Sequence, residues 1–124
     1  MNIVRASLAN LLWRLAFWGA SAFATIMALL PKPPQVPIAS FGDKFEHMVA
    51  FAALSALALQ AFPATSLLRI AAWLCAFGAA IEVVQAVPAL HRDSDLRDWL
   101  VDSAVVIIVL GLAALLRRRR RLGR

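Results

Sequence analysis

A single cysteine, no tyrosine and only five glycines stand among 124 residues. One cysteine excludes an intrachain disulfide, and the absence of a CxxC pair excludes a cysteine-based metal motif. Cys75 lies inside an apolar run and reads as a small buried hydrophobe. Acidic residues are scarce as well, seven against thirteen Lys and Arg, for a net charge of +6. No basic face interleaved with aromatics accompanies that excess, so nucleic acid is not an expected partner. Polar residues in general are few. At 62% hydrophobic and mean hydropathy +0.76, the chain cannot cover a soluble globule with polar side chains. In a bilayer it need not, because outward apolar groups meet lipid.

What is present is four apolar stretches, at 11–30, 43–62, 69–87 and 98–116, followed by a basic tail at 117–124. Crossing a hydrocarbon core of about 30 Å takes about 20 helical residues. The uncharged parts of the third and fourth stretches are shorter than that. They reach the length only if Glu82, Gln85, Asp98 and Asp102 belong to the helices, which puts these groups inside the membrane boundary. Pro31, Pro33, Pro34 and Pro37 end the first helix and make an extended connector. Pro63, Thr65 and Ser66 form a tight turn, Pro88 stops the third helix, and Ser94 or Asp95 caps the fourth.

The expected fold is all-α: a four-helix transmembrane bundle, antiparallel up-and-down, N-in and C-in. That orientation keeps Arg5, Arg14, Arg69, the run 117–121 and Arg124 in the cytoplasm, and only Lys32, Lys44, Arg92 and Arg97 outside. It implies a multi-pass membrane protein with both termini cytoplasmic. Trp99 then falls in the outer interfacial belt. The first stretch, with Arg5, Arg14 and Ala22-Phe23-Ala24, also has signal-peptide features, but its apolar run is long and is read as a retained helix.

The charges are sorted by end. All seven acidic residues and both histidines, His47 and His91, lie at or beside one end of the apolar stretches. Counting from the opposite ends, His47, Glu82 and Asp102 come at about 22, 20 and 21 Å along their helices. Three ionisable residues on three helices therefore share one depth. Asp43 and His47 stand i,i+4, Glu82 and Gln85 i,i+3, and Asp95, Asp98 and Asp102 i, i+3 and i+7, so each set shares a helix face. The alanines at 50, 53, 76, 80, 113 and 114 are expected to let the helices approach closely.

Those residues carry a resemblance. Asp43-Lys44-x-x-His47 opening the second helix, Glu82-x-x-Gln85 closing the third, then Arg92, Asp98 and Asp102, resemble the VanZ-like family of small bacterial membrane proteins. The likeness covers 43–111, and the Pro-rich connector before it is also typical. Asp102 stands where members commonly carry Asn, and Val105 and His91 replace usual glycines. The resemblance implies one VanZ-like transmembrane domain over 1–124 and a role in the cell envelope. The family's namesake is associated with resistance to the glycopeptide teicoplanin; most members have no assigned reaction.

Candidate acid–base residues are His47, Glu82, Asp98 and Asp102, because a histidine near neutrality relays protons between carboxylates and a ligand. Candidate substrate-binding residues are Asp43, Lys44, Gln85 and Arg92. The alternative for each is structural: interfacial capping by the Asp43–His47 turn, and an interhelical clamp from Glu82 to Lys44 or Arg92. His47, Glu82, Asp98 and Asp102 offer one nitrogen and several oxygens, but with no second nearby histidine no metal or cofactor is expected. The expected partners are membrane lipids and an amphiphile entering from the outer leaflet, with a homo-oligomer or membrane partner also open. Two functions remain in view: an envelope factor handling an amphiphile or conferring tolerance to lipophilic glycopeptide-type antibiotics, and a non-catalytic structural or assembly subunit of a membrane complex.

Overall fold

A computed structural model describes residues 2–31, 42–90 and 94–124. Among them are four α-helices and no strand: α1 (Ile3–Leu29), α2 (Asp43–Ala61), α3 (Leu67–Gln85) and α4 (Leu96–Leu122), with a 3₁₀ turn at Pro88–Leu90. Two boundaries differ from the sequence expectation. α1 begins at Ile3 rather than at residue 11, because the Asn2 side chain accepts from the Val4 N–H and caps the helix there. α4 continues through the arginine run to Leu122, so the expected tail is mostly helix. Arginine is a good helix former, and cations are favoured at a helix C-terminus by its dipole.

The other ends follow local chemistry. The Thr65 N–H donates to the Phe62 carbonyl (3.1 Å) in the Pro63 turn, and the Ser66 hydroxyl accepts from the Arg69 N–H to start α3. Asp95 caps α4, accepting from the Arg97 N–H at 2.9 Å, and Asp98 sits in the first turn, where the dipole favours an anion.

Cross-helix contacts fix the directions. The Arg14 Nε–H donates to the Ala61 carbonyl, joining the N-terminal half of α1 to the C-terminus of α2. The Gln85 amide donates to the Ala28 carbonyl, so the C-terminal ends of α1 and α3 lie together. His47 near the start of α2 meets Asp102 near the start of α4. Successive helices therefore alternate in direction. α2 packs on the other three and buries Phe51, Leu54, Ser55, Ala58 and Ala61; α1 buries only Phe17 and Ala28.

Close approach does not come from the alanines singled out above. Ala53, Ala76, Ala80 and Ala114 are exposed, and Ala50 and Ala113 are half-buried. The tight seams use Ala28, Ala58, Ala61 and Gly78. A Cβ at Gly78 would stand 3.3 Å from both Phe51 Cζ and Trp99 Cδ1, so two rings occupy the place a side chain would take. Cys75 is half-buried rather than fully enclosed.

α1, α3 and α4 are each long and apolar enough to cross a membrane. α2 differs because its first turn holds Asp43, Lys44, Glu46 and His47. Large apolar side chains face outward along the bundle, among them Leu12, Trp18, Phe23, Trp73, Ile107 and Leu112. A soluble monomer rarely exposes contiguous apolar surface on this scale. These features mark a membrane protein.

Candidate functional site

The N-terminal ends of α2 and α4 and the C-terminal end of α3 meet at one end of the bundle. One side chain from each helix enters the meeting point. His47 Nδ1 lies 3.1 Å from Asp102 Oδ2. One donor atom each from His47, Glu82 and Asp102 falls within 4.8 Å of the others. The shared depth counted along the sequence is thus a shared position in space. The Asp102 side chain is 3% exposed and that of His47 is 18% exposed, so the imidazole is the part of the cluster nearest the surroundings.

Glu82 is buried, and its Oε2 is held from α4. The Asp95 N–H donates to it at 3.1 Å. The Ser94 hydroxyl lies 3.2 Å from the same oxygen and 2.9 Å from the Glu82 carbonyl. Of the two expected clamps, that to Lys44 is not formed and that to Arg92 lies outside the described residues. Lys44 is exposed, and the contacts that hold Glu82 among the described residues come from a hydroxyl and a backbone amide at the α4 cap. The physical reason is position. Glu82 lies in the last turn of α3, directly against the start of α4, and a helix start presents unpaired N–H groups.

Each carboxylate keeps one oxygen in reserve. Glu82 Oε1 and Asp102 Oδ1 are buried and have no hydrogen-bond partner among the described residues. Leaving a buried charged acceptor unpaired is costly, so such atoms call for an explanation. Chemically, the arrangement offers an imidazole that holds or passes a proton at Nδ1 and two carboxylate oxygens free to accept a donor or a cation.

The remaining candidates are placed less centrally. Asp98 is half-buried one turn before Asp102 and near enough to His47 to act on it electrostatically. Gln85 is buried, but its amide bonds the Ala28 carbonyl at 2.9 Å, so it ties α3 to α1 rather than lining the cluster. Asp43 begins α2, with its side chain outside the described residues. Arg92 lies outside the described residues, as do His91 and Lys32.

Two participants escaped the sequence reading. Ser94, considered only as a cap, secures Glu82 instead. Trp99, expected in an interfacial belt, is half-buried and donates its indole N–H to the Cys75 carbonyl at 2.9 Å. It therefore braces α4 against α3 beneath the cluster. The only sequence signal for this was Gly78, three residues beyond Cys75, which leaves room for the indole.

No family model matches this chain, and no curated protein or solved structure matches it. The VanZ-like resemblance rests on the quoted residues alone.

Proposed function

We propose that this chain is a VanZ-like, four-span protein of the bacterial inner membrane, with both termini cytoplasmic, whose outer-leaflet polar cluster handles an amphiphile of the cell envelope. The observation that carries the reading is the convergence of His47, Glu82 and Asp102 from three helices, with two carboxylate oxygens uncommitted among the described residues. An assembly that served only to lock helix register would gain by pairing those oxygens. Ionisable groups within a span are expensive and serve functional sites by default. Partial exposure of His47 gives a polar headgroup a way in. Lys44, exposed one turn before His47, supplies a cation for a phosphate or carboxylate at the rim. Under this reading the compounds affected include lipophilic glycopeptide-type antibiotics.

The test is a bacterial strain dependent on this protein for tolerance to such a compound. Asp102→Asn and His47→Gln remove the tolerance while membrane abundance stays at the unsubstituted level. Tolerance that falls only in proportion to protein abundance overturns the proposal.

A second reading has its own support. Glu82 Oε2 caps α4, and Gln85 joins α3 to α1, so part of the polar set does hold helices together. On that reading the protein is a structural subunit, and the same substitutions break a stoichiometric membrane complex recoverable by copurification.

A further inference from the structure

The two uncommitted oxygens bear on a question separate from the amphiphile. We propose that His47, Glu82 and Asp102 form a binding site for one divalent first-row transition-metal ion. The sequence argued against a metal because no second histidine stands near His47. The structure supplies what the sequence could not: one nitrogen and two carboxylates from three helices, with donor atoms all within 4.8 Å. Metal–nitrogen and metal–oxygen bonds are about 2.0–2.2 Å, which sets neighbouring donors roughly 3 Å apart. His47 Nδ1 and Asp102 Oδ2, at 3.1 Å, already have that spacing. Glu82 completes the set with a ligand atom within 4.8 Å of the other two. A cation there takes the place of the proton shared between imidazole and carboxylate.

Charge and burial point the same way. With the imidazole neutral, the two carboxylates carry the opposite of a divalent ion's charge, so the filled site is neutral in a low-dielectric setting. Glu82 is 8% exposed and Asp102 2% exposed, and each retains a buried oxygen with no hydrogen-bond partner among the described residues. Among the described residues, the one ion pair at either carboxylate is that of Asp102 with His47. Ser94 and Asp95 steady Glu82 from behind, as hydrogen-bonded second neighbours do for ligating carboxylates. Three protein donors leave further coordination positions open, which suits a bound water or ligand oxygen. The mixed nitrogen and oxygen set favours Zn²⁺, Mn²⁺ or Fe²⁺ over Mg²⁺, which prefers an all-oxygen shell.

The experiment uses the full chain, purified in detergent with a tag other than polyhistidine, stripped with chelator and titrated with Co²⁺ as a visible-absorbing probe. The expected result is saturation at one equivalent, displacement by Zn²⁺, and no displacement by equimolar Mg²⁺. Glu82→Gln, Asp102→Asn and His47→Gln each weaken Co²⁺ binding by tenfold or more while helicity is retained. If a variant fails to fold, X-ray absorption on the unsubstituted Zn²⁺-loaded protein decides: one imidazole in the zinc shell supports the site, and none overturns it. Folded protein that binds no Co²⁺, or three folded variants that bind it like the parent, also overturns it. Because the readout is metal content, its failure is distinct from failure of the amphiphile reading, which is scored on tolerance.

Discussion

Replacing His47 by leucine tests the cluster at its most connected point. The substitution keeps the helix position filled but removes the only donor to Asp102 Oδ2 among the described residues. Asp102, 3% exposed, is then left with both oxygens unpaired and with the Glu82 carboxylate still alongside. Hydrogen bonds to charged groups contribute about 1.5–3 kcal/mol, and breaking a buried ion pair from one side costs about 3–5 kcal/mol. Polar pairs inside membrane proteins measure lower, up to about 1.7 kcal/mol, because the unfolded chain finds other partners. Partial exposure of the imidazole also lowers the figure. The expected loss for His47→Leu is about 2 kcal/mol in metal-free protein, between the membrane-protein ceiling and the buried-pair figure. The informative outcome is the double substitution. His47→Leu with Asp102→Leu removes the stranded charge as well, so the double variant should be more stable than His47→Leu alone. Reversible unfolding of chelator-treated protein in mixed micelles, followed by helicity and tryptophan emission, measures all four corners of the cycle. Additive losses would refute the claim that these two side chains act as one buried pair.

Two further substitutions probe the supports. Gly78→Leu forces apart Phe51 and Trp99, each 3.3 Å from the position of a new Cβ, and should cost about 1–3 kcal/mol with a shift in tryptophan emission; unchanged stability and emission would mean that the α3–α4 seam is looser than described. Gln85→Leu frees the Ala28 carbonyl and should cost about 1 kcal/mol while leaving Co²⁺ affinity at the parent level, since Gln85 ties α1 rather than the cluster; a fall in that affinity on the folded variant would place it in the site.

The convergence of His47, Glu82 and Asp102 was legible because depth along a helix is a linear count, and a charge below the headgroups has few places to point. A cap at Ser94 or Asp95 was legible because a short polar side chain before an apolar run satisfies free N–H groups locally, and Asp95 fills that role. Ser66, read only as part of a turn, caps α3 as well. Other contacts were not legible. The Trp99 bond to the Cys75 carbonyl and the Gln85 bond to the Ala28 carbonyl depend on helix rotation and crossing, which apolar periodicity hardly constrains when most faces are greasy. The same uniformity hid which small residues sit at the seams. Ala58 and Ala61 are enclosed while Ala53 and Ala76 look outward, yet all four lie in similar runs. The extension of α4 through the arginines was missed because hydropathy marks where a helix leaves lipid, which need not be where it ends.

That extension has a mechanical consequence. Successive residues on an α-helix point about 100° apart, so five consecutive arginines project around the entire circumference of α4. All five are exposed, and they form a collar instead of a stripe. In a bilayer such a collar fixes how deeply the rod can sink, since drawing even one guanidinium to mid-membrane costs about 2.5–3.5 kcal/mol. The collar thus opposes any pull that would draw α4 toward its Asp102 end, while the Trp99–Cys75 and His47–Asp102 contacts hold its rotation. Any rearrangement at the Asp102 end must therefore be met without dragging that ring of guanidinium groups into the hydrocarbon.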